Sequence, residues 1–172
     1  MDIISPLLER ISRYNIFNYL IPGSALVLIF KYYIGYTIPT MELYEAMLLY
    51  YLVGLVNSRI GSLVLRPLLT RIKPFQVKPY GEYLEAERKD PKIQDLMIDN
   101  NMYRSFVSVF LISTIGYLCG LVNCSSISSC SVTPHLARLL GLLLLCVLFI
   151  CAYRRQTRFI ADRINNINKP IK

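Results

Sequence analysis

"LARLLGLLLLCVLFICAY", Leu136 to Tyr153, is a run of 18 residues in which Arg138 is the only charge. A helix needs roughly 17–25 residues to cross the hydrocarbon core of a bilayer. Within that core each backbone N–H and C=O must be satisfied inside the segment, so an apolar run of this length reads as a membrane helix. Three further runs fit: "IFNYLIPGSALVLIFKYYIGY" from Ile16 to Tyr36, "LYEAMLLYYLVGLVNSRIGSLVL" from Leu43 to Leu65, and "SFVSVFLISTIGYLCGLV" from Ser105 to Val122. One such run is also compatible with a buried core helix; four of them in 172 residues argue against that. The chain is 54% hydrophobic, against about 45–50% for a soluble domain, and the excess is concentrated in these runs. The expected fold class is all-α, a polytopic membrane protein with four transmembrane helices and helical cytoplasmic extensions, forming one membrane domain. No cleavable signal peptide is expected, because "MDIISPLLERISRYN" has no basic start ahead of an apolar core.

The orientation follows from lysine and arginine. The segment 66–104 holds Arg66, Arg71, Lys73, Lys78, Arg88, Lys89, Lys92 and Arg104, and the tail 154–172 holds Arg154, Arg155, Arg158, Arg163, Lys169 and Lys172. The opposite loops, "TIPTME" and "NCSSISSCSVTPH", carry no basic residue. Both termini and the middle loop are therefore expected in the cytoplasm. Lys31 and Arg138 sit just inside their spans, within snorkelling reach of the outer surface. Tyr32, Tyr33, Tyr36 and Tyr44 cluster at that surface, where an apolar ring with a wet hydroxyl is favoured.

Cys124 and Cys130 share the outer loop, where disulfides persist. A bridge between them and two free thiols are both compatible with the spacing. Cys146 and Cys151 read as packing residues of the fourth span. Residues 1–15 suggest an amphipathic helix, with Ser5 and Pro6 as its start signal and Ile4, Leu7, Leu8 and Ile11 on one face; it either lies on the leaflet or packs on the protein. Pro22 and Gly23 predict a kink in the first span. In the middle loop, "YGEYLEAERK" predicts a short helix, and three prolines stop the second span from running far past Leu65. Asp90 and Pro91 repeat the start signal ahead of a helix that runs unbroken from Lys92 into the third span. The tail should extend the fourth span, with Arg158 and Asp162 at pairing distance.

Within the second run, "VGLVNSRIGSLVLRPLL" places Asn57, Ser58 and Arg59 where a span should be apolar. At 1.5 Å per residue, Arg59 lies roughly 22 Å along the helix, in the inner third of the bilayer. Arg59, Ser62 and Arg66 share a face. Either the membrane ends near Asn57, or this face lines a wet vestibule in an oligomer, making Asn57, Arg59 and Ser62 pore or gate candidates. Gly54, Ser58, Gly61 and Ser62 permit close helix approach, which points to a homo-oligomer.

Signals for chemistry are absent. His135 reads as a solvated loop residue, no cysteine pair has zinc-site spacing, no glycine-rich phosphate loop occurs, and no two repeated halves suggest a secondary transporter. No enzymatic step, metal or cofactor is expected. The cytoplasmic charge has two readings. It follows from the positive-inside rule and anionic lipid, or Arg66, Arg71, Lys73, Arg154, Arg155 and Arg158 form a site for a nucleotide or oligonucleotide.

"YNIFNYLIPG", together with "NSRIGSLVLRPLL" through "DPKIQDLMIDNNMYRSF", resembles small four-span bacterial membrane proteins of anti-phage defence, of the type of the channel-like membrane subunit of the Hailong system. The resemblance covers about the first two-thirds of the chain. It implies an effector that permeabilises the bacterial inner (plasma) membrane on infection, and a soluble nucleotidyltransferase-like partner. The expected function is thus a channel-like effector gated from the cytoplasm. The alternative is a non-conducting sensor or scaffold that recruits a soluble partner.

Overall fold

The computed structural model describes residues 13–71, 78–123 and 132–167. Most of the expected N-terminal helix, Lys73, Cys124, Cys130 and the last five residues lie outside the described residues. The described chain is helical, with no strand, and has five helices: α1 (13–34), α2 (43–71), α3 (Tyr80–Lys89), α4 (Lys92–Asn123) and α5 (Val132–Ile167). Four are long and apolar enough to cross a membrane, through Ile16–Ile34, Leu43–Arg71, Lys92–Leu121 and Pro134–Ile167. Leu140, Leu144 and Leu148 on α5, and Leu48, Leu52 and Val56 on α2, recur every four residues and are each more than half exposed. Such apolar stripes need a lipid-like surrounding or another protein surface.

The unbroken helix from Lys92 is present, and Asp90 Oδ1 accepts its Lys92 N–H at 3.1 Å. So is the helical extension of the fourth span, and the short helix over "YGEYLEAERK". The second span runs six residues past Leu65, through Pro67 to Arg71. A π-helical turn, Gly61–Leu65, comes just before it. Proline clashes with the carbonyl four residues back, and the wider π turn relieves that crowding. Pro22 sits inside α1 in the same way, behind the π turn Ile16–Leu20. A third π turn, Ile29–Ile34, leads to Gly35, whose φ of 92° ends α1 with Gly35 and Tyr36 N–H both bonded to Phe30 O. Glu42 and Glu45 close the start of α2 as a reciprocal capping box.

Helices α1 and α2 touch backbone to backbone. A Cβ on Gly54 would stand 1.8 Å from Tyr19 O, and one on Gly23 would stand 1.9 Å from Tyr50 O. Of the small residues expected at a subunit contact, Gly54, Ser58 and Gly61 are buried within the single chain and Ser62 is half-buried. Helix α4 lies against each of the other three long helices. Its main core gathers Leu65 and Leu69 of α2 with Val107 and Phe110 of α4 and Leu142 and Cys146 of α5. Phe149 stacks into it, 4.9 Å from Phe106 and 5.3 Å from Phe110. Cys146 packs as expected, whereas Cys151 faces outward.

A second core forms beyond the bundle, at the end that carries most of the arginines and lysines. Ala86 of α3, Ile93 of α4, and Ile160 and Ile164 of α5 are buried together. Arg163 Nε donates to Asp90 Oδ2 at 2.7 Å and clamps α5 to the α3–α4 junction. The expected Arg158–Asp162 pair does not form among the described residues; both side chains are exposed. At the opposite end His135 belongs to α5 and not to a loop; its Nδ1 lies 2.8 Å from the Tyr117 hydroxyl.

Candidate ligand cavity and buried polar seam

Two features stand out where the bundle meets the second core. The first is a seam of polar side chains buried between apolar helices. Asn57 of α2 is 1% exposed; its Nδ2 donates to Ser105 O at 3.0 Å, and the Ser108 hydroxyl donates to Asn57 O at 3.3 Å. Asn18 of α1 is fully buried and donates to Tyr14 O one turn back. Asn18 Oδ1, Asn57 Oδ1 and Ser105 Oγ have no hydrogen-bond partner. Buried polar atoms are nearly always paired, so three orphans on neighbouring helices mark a polar interior.

The second feature is a cavity of about 360 Å³. Ser62 and Arg66 of α2, Tyr80 and Tyr83 of α3, Asn100, Asn101 and Arg104 of α4, and Tyr153 and Thr157 of α5 contribute its polar lining. Thr157 Oγ1 lies 3.1 Å from Asn100 Oδ1 and 2.8 Å from its own helix's Tyr153 O. Arg104 is 8% exposed, its Nε has no partner, and Tyr153 is a hydrogen-bonding neighbour of its guanidinium. Neither Arg104 nor Arg66 pairs with a carboxylate among the described residues, and no carboxylate lines the cavity. Lys78 also reaches it, already held by Glu82 at 3.0 Å. Burial and the neighbouring Glu87 carboxylate push the Tyr83 hydroxyl up to about 12.

Cavity and seam meet at Arg104, which is followed by Ser105 on the same helix. From Asn100 to Thr114 the buried polar positions of α4 span about 21 Å at 1.5 Å per residue, about two-thirds of a hydrocarbon core about 30 Å thick. Ser113 Oγ, higher on the same helix, also has no hydrogen-bond partner, while the Thr114 hydroxyl donates to Phe110 O at 2.7 Å; the core around them is aromatic and aliphatic.

The sequence-predicted residues divide among these surroundings. Asn57 lies in the seam, Ser62 lines the cavity, and Arg59 is exposed. The three pore or gate candidates therefore do not share one lining. Of the ligand candidates among the described residues, Arg66 reaches the cavity; Arg71, Arg154, Arg155 and Arg158 are exposed and outside its lining, because the α5 residues that face inward are Tyr153, Thr157 and Ile160. Arg104, Asn101 and Thr157 were missed. A usable signal was there: Ile93, Met97, Asn100 and Arg104 are spaced three and four apart and so fall on one face of α4.

No protein-family model, curated protein or solved structure matches the chain.

Proposed function

We propose that the protein is an oligomeric, channel-like effector of the bacterial inner membrane that acts in anti-phage defence, with both termini and the α3 end of the bundle in the cytoplasm. A soluble nucleotidyltransferase-like partner or an anionic nucleotide ligand gates it from that side, and opening depolarises the membrane. The observation that carries this reading is the buried polar seam leading from a basic cavity into an otherwise apolar bundle. A passive anchor has no use for orphaned amide and hydroxyl oxygens between its helices, since each is destabilising in a dry interior. A conducting path does: water or ions partner them when the helices part. The cavity is built from α2, α3, α4 and α5 together, so anything that binds there with different affinity in two arrangements of those helices shifts the equilibrium between them. The aromatic layer of Phe106, Phe110 and Phe149 beside the seam then acts as the closed section.

A voltage-sensitive dye in cells expressing the protein during phage challenge tests this. Depolarisation is expected with the native chain and is expected to vanish with Asn57→Leu at equal expression. Arg59→Leu separates two routes: a path along the seam keeps its conductance, and a path along a subunit interface loses it. A potential undisturbed under every challenge, with co-purification of a soluble partner, would identify a non-conducting scaffold instead.

A further inference from the structure

We infer that the cavity at Arg104 is a seat for a phosphate group, and that its occupant is the headgroup of an anionic membrane phospholipid. Arg104 is more than nine-tenths buried, yet no carboxylate lines the space it faces. An isolated charge in a low-dielectric site is strongly disfavoured unless it is paired and hydrogen-bonded. The nearest cation on the facing helix, Arg66, adds like charge and leaves the cavity in need of an anion. A phosphate meets that need well, because guanidinium forks pair with its oxygens through short, charge-assisted bonds. Asn101 and Tyr80 add neutral donors around the same space. About 360 Å³ leaves room for more than the bare ion.

The source follows from the position of the mouth. Ser62 and Arg66 stand one turn apart on α2, and the side chains beside them, Leu63, Val64 and Leu68, are 74%, 56% and 51% exposed. A phosphate seated at Arg66 and Arg104 thus has an apolar, outward-facing flank next to it, along which acyl chains can lie. This depends on the membrane orientation adopted under the proposed function, but not on conduction: a lipid phosphate that ties α2 to α4 serves a channel and a scaffold alike.

The test is native mass spectrometry of the full chain released from vesicles of phosphatidylcholine and phosphatidylglycerol. The native protein is expected to retain one phosphatidylglycerol per chain in preference to phosphatidylcholine. Arg66→Gln and Arg104→Gln are each expected to lower that retention about fivefold, since one basic residue near an anionic surface contributes roughly that factor. Arg154→Gln, which removes an exposed charge outside the cavity, should leave it unchanged. If Arg104→Gln does not fold, Arg66→Gln carries the comparison from an exposed position. A second arm adds millimolar inorganic phosphate to lipid-free protein in detergent. A rise in melting temperature that Arg66→Gln abolishes, with no preference for phosphatidylglycerol, would keep the phosphate seat and assign it to a soluble anion. Equal retention in all variants with no effect of phosphate, or an equal loss in Arg154→Gln, would overturn the proposal. Lipid retention is read without any ion flux, so its failure is distinct from failure of the channel.

Discussion

The contact between α1 and α2 is close enough that adding one methyl group must break it. In Gly54→Ala the new Cβ would sit 1.8 Å from Tyr19 O, where ordinary contact begins near 3.4 Å. The obstacle is backbone, which cannot rotate away as a side chain does. The helices must part by about 1.5 Å, and a close-packed interface loses much of its dispersion energy over such a gap. Overpacking of this kind typically costs about 1–3 kcal/mol. For a chain of this length each kcal/mol moves the midpoint by about 2–4 °C, so melting in detergent, followed by circular dichroism at 222 nm, should fall by about 2 to 12 °C. Gly81→Ala is the control. Nothing lies within 4 Å of a Cβ there, and alanine in a helix is favoured over glycine by about 0.5–1 kcal/mol, so its midpoint should hold or rise. If Gly54→Ala melts with Gly81→Ala, at or above the native midpoint, the glycine crossing is wrong, and with it the burial of Gly54 within one chain.

Asn57→Ala should destabilise the bundle by about 0.6–1.7 kcal/mol, the range for a hydrogen bond between membrane helices, measured by steric trapping or reversible unfolding in mixed micelles; a neutral effect would show that Asn57 does not bond α4. At Asp90 the Arg163 guanidinium holds the carboxyl below its usual range. Its contribution is therefore complete above the unfolded value near 3.9, and is lost as pH falls from there through the lower folded value. Hydrogen exchange in α3 should be pH-independent in this sense from 7 to 5, apart from intrinsic chemistry, and accelerate below about pH 4, while Asp90→Asn removes the acid-dependent step. The Tyr83 hydroxyl stays neutral to about pH 12, above the usual value near 10. The unfolded chain gives up that proton first, so stability declines above about pH 10; an absorbance titration at 295 nm, compared with Tyr83→Phe, should show one tyrosine titrating late.

Much of this architecture was legible. Leu136 to Tyr153 and its three companions declare themselves by length and apolarity, and α4 and α5 run past the membrane boundary because nothing between Lys92 and Asn123, or between His135 and Ile167, breaks a helix. The path of α2 through Pro67 was not legible, because a π turn relieves the clash that proline creates, and that turn has no sequence signature. Gly54, Ser58 and Gly61 announce a close approach but not its partner: a stripe of small residues is the same whether it meets α1 and α4 of its own chain or another subunit. Arg104 was hidden among the basic residues of the middle loop. Charge counting treats these alike, and only the fold distinguishes the one that is buried. The Asp90–Arg163 clamp joins residues 73 apart in the chain, which no local spacing rule can find.

Conduction through the bundle can be measured most directly with purified protein in phosphatidylglycerol-containing liposomes loaded with potassium, adding extract from uninfected or phage-infected cells and following flux with a potential-sensitive dye. Flux that starts only with the infected extract, and is absent from liposomes carrying Asn57→Leu, is the expected result. Liposomes that stay tight with both extracts, although the protein is folded and inserted, would contradict the channel.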